Sequence, residues 1–305
     1  MELLEAIILS VLAASTPLLI AATGELVTER SGVLNLGVEG MMIVGAACGF
    51  GGALYTGSIT VGALCGIVAG TLLALIFALM TLGLAVNQVA TGLALTILGI
   101  GLSGLIGAGF VGERITPAPH LRVPGLTDLP YLGRILFGED AFVYVSLFLI
   151  VGIWWFLYRT RAGLILRACG DNHLSAHALG YPVLRIRLFA VMFGGACAGL
   201  AGAYLPLAYT PFFIPGMTAG RGWIALALVV FASWRPARLV VGAYLFGTVT
   251  ILQLHAQGAG IGVPSQFMSA LPYLATVIVL VLISRARTGG STAPAALGTV
   301  FVPDR

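Results

Sequence analysis

The segment Glu29–Met42 reads Glu-Arg-Ser-Gly-Val-Leu-Asn-Leu-Gly-Val-Glu-Gly-Met-Met. It places two glutamates, an arginine, an asparagine and three glycines at the start of a long apolar run. A soluble core has no need of this mixture, and a plain membrane anchor would not tolerate its charges. We interpret the segment as the entrance to one half of a transport site.

The composition around this segment is that of a membrane protein. The 305 residues are 59% hydrophobic and 9% charged, with 42 glycines, whereas soluble domains carry about 25% charged residues. Several apolar runs reach the roughly 18–20 residues that cross a bilayer as a helix. We therefore predict an all-α, polytopic membrane protein, with one transmembrane domain over residues 1–287 and a disordered polar tail over residues 288–305.

The charged residues also exclude several functions. All 15 basic residues are arginine, so the chain lacks the lysine of a Walker A loop and of a Schiff-base cofactor site. The four cysteines form no CxxC pair and are interpreted as small buried hydrophobic residues. No cofactor, metal site or disulfide is expected. The first 14 residues lack a basic region, so we do not interpret them as a cleaved signal peptide.

Apolar runs define the membrane topology. We predict about nine spans (eight to ten). The seventh and eighth are short, and each either extends into its flanking residues or is a broken helix. The spans are Leu3–Thr23, Gly32–Leu54, Ile59–Leu84, Thr91–Val111, Ala141–Tyr158, Leu188–Ala208, Trp223–Ser233, Leu239–Gln253 and Phe267–Ile283.

Arginine placement orients these spans. The loop 159–187 carries five arginines, and Arg285 and Arg287 follow the last span. Because arginine-rich loops stay in the cytoplasm, we expect this loop, residues 234–238 and the C-terminus to lie on the cytoplasmic side of the cell membrane. The loop 112–140 and the N-terminus then lie outside.

The spans also show a weak internal repeat. Spans one to four and six to nine form two groups around the fifth, with opposite starting sides. The second element of each group opens with a Gly-interrupted polar stretch, at residues 31–40 and 215–223. Such pairs in inverted halves indicate a binding site near the membrane midplane. The alternative is that Gly and Pro are simply frequent in membrane helices.

Polar and aromatic residues within the apolar runs are the candidate contacts for a solute. Asn35 and Glu39 are four residues apart and share one helix face, although Glu39 could instead hold helices together. The aromatic candidates could stack on a ring, or could form an interfacial belt. The predicted pathway residues are Asn35, Glu39, Asn87, Gln88, Phe212 and Trp223.

A short helix is predicted in the loop 159–187. Asp171 or Asn172 is placed to cap its start, Gly180 to end it, and Pro182 follows where a helix must stop. A two-turn helix between two spans can transmit motion from a docked partner, or can be a plain connector. His173 and His177 have metal-ligand spacing, but no third ligand is near in sequence.

Four segments give the chain a family resemblance, residues 29–46, 86–95, 167–180 and 216–236. It resembles the permease subunits of ATP-binding cassette (ABC) importers of the branched-chain amino acid/ribose-type superfamily. Within that group it is most similar to nucleoside-type permeases that work with basic-membrane-protein-like receptors.

The resemblance implies the rest of a transporter. It implies nine to ten helices, a pair of like or unlike permease chains, an external binding protein, and a separate ATPase, so that this chain is not itself an enzyme. The ATPase would dock at a coupling helix formed by residues that include Gly170, Asp171, His173, Ala176, Leu179 and Gly180.

The solute and two other functional classes stay open at this stage. A nucleoside is favoured, with a sugar or a branched-chain amino acid as alternatives. A stand-alone secondary transporter should have several carboxylates deep in its spans, and only Glu39 is predicted there. A membrane-embedded enzyme would need a metal cluster or a nucleophile–base pair, which the sequence does not suggest.

Overall fold

A computed structural model describes residues 2–121, 133–258 and 293–302, together with single positions between 267 and 281. Within these residues the chain forms helices joined by short connections, and no strand beyond two isolated bridges. The helices are α1 Glu2–Arg30, α2 Val38–Thr56, α3 Ile59–Ala78, α4 Gln88–Gly107, α5 Gly133–Phe137, α6 Ala141–Arg159, α7 Arg161–Asp171, α8 His173–Ala178, α9 Val183–Tyr204, α10 Arg221–Phe231 and α11 Pro236–Gly258. Wider π-helical turns extend α3 to Gly83 and α9 to Tyr209.

Seven of the described helices are long and apolar enough to cross a membrane, and α10 is a shorter apolar helix. They confirm the prediction of a polytopic all-α protein. The two boundaries that differ most are the end of α1, which continues past Thr23 to Arg30, and the start of α2, which begins at Val38 rather than Gly32. The eighth span takes in flanking residues, one of its two predicted alternatives, and forms the 23-residue helix α11. The seventh span is short, as predicted. The ninth, Phe267–Ile283, lies largely outside the described residues.

Three helices, α1, α2 and α9, form the centre of the bundle, and they contain the largest buried share of the spanning helices. Small residues allow α2, α3 and α9 to approach closely. A methyl group added to Gly45 would lie 2.6 Å from the Cα of Gly199, and one added to Gly70 would lie 2.7 Å from that same atom. Close backbone approach of this kind is the usual basis of helix packing in membranes.

The connections between helices gather at two ends of the bundle. At one end, hereafter the α8 end, Arg30 donates two hydrogen bonds to the carbonyl of Trp234, and Ala296 N–H donates to Gly170 O at 2.9 Å. At the opposite end, Ala118 N–H donates to Leu207 O at 2.8 Å. The described part of the loop 112–140 and the loop 159–187 thus lie at opposite ends of the bundle, and residues 234–238 lie at the α8 end.

The C-terminal segment 293–302 packs against the α8 end. Ala296 and Phe301 are each 6% exposed, and Gly298 N–H donates to Gly32 O at 3.1 Å. The disorder expected for residues 288–305 therefore does not extend to residues 293–302, because two apolar side chains anchor this stretch.

Candidate functional site

The first turn of α10 is built around the side chain of Glu39. Its Oε1 accepts hydrogen bonds from Thr218 Oγ1 at 2.6 Å and Gly220 N–H at 2.9 Å, and its Oε2 accepts from Gly222 N–H at 2.6 Å. Ala219 and Gly220 have left-handed φ angles of 47° and 79°, which turn these N–H groups toward the carboxylate. The first N–H groups of a helix lack helical partners and attract negative charge.

This arrangement places a helix start inside the bundle. α10 has 11 residues, so its first turn lies about 16 Å from its other end, or roughly half the thickness of the hydrocarbon core. Glu39 is 6% exposed and its oxygens are bonded within the chain. The structure thus brings together the two Gly-interrupted segments singled out in the sequence, with Glu39 acting as a cap for α10.

Asn35 shapes the approach to α2. It is fully buried, and its Oδ1 accepts from Gly37 N–H at 2.9 Å while its own N–H donates to Glu25 Oε1 at 3.3 Å. Its Nδ2 lies 3.6 Å from the sulfur of Met41. The Asn35 side chain therefore faces protein rather than open space in this conformation.

Asn87 and Gln88, at the start of α4, differ in their exposure. Gln88 is 3% exposed and its Oε1 accepts from Leu34 N–H at 2.8 Å, which joins α4 to the α1–α2 connection. Asn87 is exposed, and its Oδ1 accepts from Ala90 N–H at 3.0 Å as the cap of α4. Of this pair, only Asn87 faces the surface.

The two predicted aromatic residues, Phe212 and Trp223, are more exposed than the neighbouring Phe213. Phe212 and Trp223 are 38% and 37% exposed, whereas Phe213 is 1% exposed and packs against the rings of Phe50 and Phe110. Trp223 directly follows Gly222 in the first turn of α10. Trp223 therefore places a partly exposed indole beside the Glu39 junction, whereas Phe212 pairs with Arg114 at the end of the bundle opposite α8.

Glu25 and Glu29 are buried, although the sequence placed both of them outside the predicted spans. Each is 1% exposed, and the Trp234 indole Nε1 donates to Glu29 Oε2. Within the described part of the chain, Glu25 Oε2 and Glu29 Oε1 have no hydrogen-bond partner. Glu39 was the only carboxylate predicted within a span, and because α1 continues to Arg30, Glu25 and Glu29 also lie within a long helix, in its last two turns. The spacing of four residues between the two glutamates was the available signal.

The predicted short helix is present as α8. Asn172 caps its start, with Oδ1 accepting from Ser175 N–H at 3.0 Å, and Gly180 follows its end with a φ of 87°. Ala176 is buried and Leu179 is 77% exposed, while Asp171 ends the preceding α7 and Gly170 is buried.

The histidines of α8 face the C-terminal segment. The rings of His173 and His177 lie 5.1 and 5.4 Å from that of Phe301. Burial, and then the charge of Arg187, lower the pKa of His173. Among the described residues, no three His, Cys, Asp or Glu side chains are grouped as a metal ion would need.

These features define a multi-pass membrane protein with a broken helix inside its bundle and a capped two-turn helix at one end. Residues 7–284 match the family described as branched-chain amino acid transport system / permease component. The chain belongs to this family of ABC transporter permeases. Permeases are not themselves enzymes, and the family implies an ATPase and a substrate-binding protein as partners. The stand-alone transporter and enzyme alternatives are therefore set aside.

Individual relatives cover nearly the whole chain. A protein of Haloferax volcanii provisionally named as a glucose ABC transporter permease (TsgC13) is 45% identical over 289 residues, 88% of each chain. The guanosine ABC transporter permease NupQ of Bacillus subtilis is 30% identical over 315 residues, 99% of this chain and 98% of the relative. The nucleoside ABC transporter permease NupC of Lactococcus lactis is 30% identical over 318 residues, with the same coverage.

Proposed function

We propose that this chain forms the membrane pathway of an ABC importer for nucleosides, driven by an ATPase that docks at α8. The observation that carries the proposal is α8 itself, a short helix with capped ends and exposed apolar side chains. Leu174 and Leu179 are 64% and 77% exposed. Outside the membrane, such apolar surface is typical of a contact with another protein.

The caps of α8 suit it to transmit force. Asn172 satisfies an N–H group at its start, and Gly180 supplies the left-handed residue that ends it. α8 is joined to the spanning helix α9 by only four residues, so a push on α8 reaches the bundle directly. Gly170, Asp171, His173, Ala176, Leu179 and Gly180 are the proposed coupling residues.

We infer that the α8 end faces the cytoplasm. Arg30, Arg159, Arg161, Arg187 and Arg235 all lie at this end, as the positive-inside rule requires. The C-terminal segment 293–302 packs here as well, so the C-terminus is assigned to the cytoplasm. The substrate-binding protein would then dock at the opposite end, which carries residues 108–121.

Solute contact is assigned to exposed side chains at different depths of the bundle, with Trp223 beside the Glu39 junction, Phe212 toward the end opposite α8 and Asn87 at the start of α4. Trp223 and Phe212 offer faces for stacking on a nucleobase, and Asn87 offers an exposed amide. The buried Asn35, Glu39 and Gln88 would shape this pathway and could reach the solute only after the bundle rearranges. A second permease chain, like or unlike this one, would complete the pathway.

The alternative solute is a sugar, which the relative with 45% identity favours. Nucleosides and sugars share a hydroxyl-rich ring, and only nucleosides carry an aromatic base. A planar base offers more area for stacking on an indole than a sugar ring does, so we expect Trp223 to favour the nucleoside.

Uptake measurements test the proposal. The permease would be co-expressed with the ABC ATPase, receptor and second permease encoded with it, and uptake of labelled guanosine and labelled glucose compared. We expect ATP-dependent guanosine uptake that adenosine inhibits and glucose does not. Trp223→Ala should lower guanosine uptake about fivefold or more, while Trp223→Phe retains most of it.

Three results would contradict parts of this proposal. Glucose uptake that nucleosides do not inhibit would show that the transported solute is a sugar rather than a nucleoside. Equal guanosine uptake by the Trp223→Ala and wild-type chains would exclude stacking on α10. Uptake that persists without any ATPase would exclude the importer itself.

A further inference from the structure

The buried side chain of Arg187 joins three separate segments at the α8 end. Arg187 lies near the start of α9 and is 0% exposed. Its Nε donates to Ser31 O at 3.1 Å, its Nη1 donates to Thr299 O at 3.2 Å, and its Nη2 lies 3.3 Å from His173 Nδ1. A buried guanidinium must place its donors on such acceptors. Arg187 therefore connects the α1–α2 connection, the C-terminal segment and α8.

The C-terminal segment makes the same connection independently through its backbone. Ala296 N–H donates to Gly170 O at 2.9 Å, and Gly298 N–H donates to Gly32 O at 3.1 Å. One side of the segment is thus bonded to the last turn of α7, and the other side is bonded to the chain just after α1.

Phe301 fixes this segment to α8. Its ring meets those of His173 and His177 at interplanar angles of 62° and 64°, which is the favoured edge-to-face range for aromatic rings. The two histidines are four residues apart and so share one face of α8. Phe301 is buried in a cluster with Cys169, Ala176 and Val183. A displacement of α8 must therefore carry Phe301 with it or break this cluster.

The segment bonded by Arg187 and Gly298 leads directly into the transport site. Ser31 and Gly32 open the connection that contains Asn35, and this connection enters α2 next to Glu39, the cap of α10. A continuous set of bonds and packed side chains thus runs from α8 to the broken helix in the bundle.

We propose that Arg187 and Phe301 are positioning residues that make α8 and the α1–α2 connection move as one unit. This inference rests on the proposed function, because it takes the ATPase to act on α8. The C-terminal segment is then part of the coupling machinery rather than a free tail.

The test measures solute uptake and ATP hydrolysis in the same proteoliposomes, which contain the complete importer. The labelled solute is guanosine or glucose, whichever the wild type transports. Phe301→Ala should lower the solute carried per ATP hydrolysed by roughly threefold to tenfold, with the ATPase still bound. Phe301→Tyr should restore the ratio, because it keeps the ring. Val302→Ala is the matched control, since the Val302 side chain is 65% exposed.

The outcomes separate this inference from the proposed function. An unchanged ratio in Phe301→Ala with a bound ATPase would overturn the inference alone. If that variant does not accumulate, His177→Ala tests the same contact from an exposed residue, and an unchanged ratio there would overturn the inference equally. Failure of the wild-type chain to bind the ATPase would overturn the proposed function, and this inference with it.

Discussion

The Thr218 hydroxyl donates a hydrogen bond of 2.6 Å to the carboxylate of Glu39, across 179 positions of sequence. This bond, with two backbone N–H groups of α10, holds the start of a broken helix against α2 in the interior of the bundle. A carboxylate in this environment is stable only when donors surround it. Glu39 is thus the residue through which the two Gly-interrupted segments of the chain meet.

Glu39→Gln should destabilise the folded protein by about 1–3 kcal/mol, because an amide cannot accept from all three donors. Thermal unfolding of the purified protein in detergent measures the effect. In a double-mutant cycle with Thr218→Val, the double variant should lose less than the sum of the single losses. Glu113→Gln is the control, since Glu113 is exposed. Additive losses would mean that the hydrogen bond makes no net contribution.

Asn172→Ala should weaken ATPase binding without affecting membrane insertion. It removes the cap that accepts from Ser175 N–H, which costs a helix about 1 kcal/mol and frays the start of α8. Gly180→Ala should act in the same direction, because alanine is strained at a φ of 87°. Co-purification of the ATPase measures the loss. The control is Ser175→Ala, which leaves the backbone N–H donor of the cap in place. If Asn172→Ala and Gly180→Ala both bind the ATPase as the wild type does, α8 is not the docking element.

Glu139 should make the stability of the protein depend on pH. It lies just before α6 and is 4% exposed, and burial, followed by the neighbouring charge of Asp140, raises its pKa from 4.5 to about 7. As pH rises through this window, the unfolded chain ionises before the folded one, so the folded state loses stability. The melting temperature in detergent should therefore be lower at pH 8 than at pH 5.

Glu139→Gln should reduce that difference, because glutamine does not titrate. The variant should gain melting temperature relative to wild type at pH 8 and show little gain at pH 5. The same measurement on Glu113→Gln controls for the loss of a charge in this loop. An equal shift at both pH values would contradict the assignment.

Gly199→Val should disrupt the centre of the bundle. A side chain there would meet the backbone of Gly66 and approach the Cα of Gly70 at 3.1 Å, and overpacking of this kind costs about 1–3 kcal/mol or more. Gly101→Val is the matched control on α4, because among the described residues no atom from outside its own helix backbone lies within 4 Å of the added methyl group. Size-exclusion profiles of the two variants should show aggregation of the first and a wild-type peak for the second.

Local patterns predicted much of this architecture. Long apolar runs predicted all seven long helices, because a bilayer demands a minimum length of apolar residues whatever packs beside them. Asn172, Gly180 and Pro182 predicted α8 because caps act on the adjacent few residues. The same reasoning was least accurate at the end of α1, where polarity suggested a boundary at Thr23 and packing continues the helix through Glu25 and Glu29.

The candidate site was harder to predict. Asn35 and Gln88 were expected to face a solute, yet both are buried and bonded to nearby backbone. Polarity marks such residues as exceptional in a membrane without indicating whether protein or solute satisfies them. Their partners are set by which helices pack together, and this information is spread over the whole chain.

Composition and short-range pattern therefore specify a multi-pass helical membrane protein, its arginine-rich side and the limits of α8, since these depend on solvent and on neighbouring residues. The three-dimensional packing specifies that Glu39 caps α10, that Glu25 and Glu29 are buried, and that Arg187 joins Ser31, Thr299 and His173. These contacts link residues far apart in sequence. They form only where the close packing of α1, α2 and α9 brings donors within reach of acceptors.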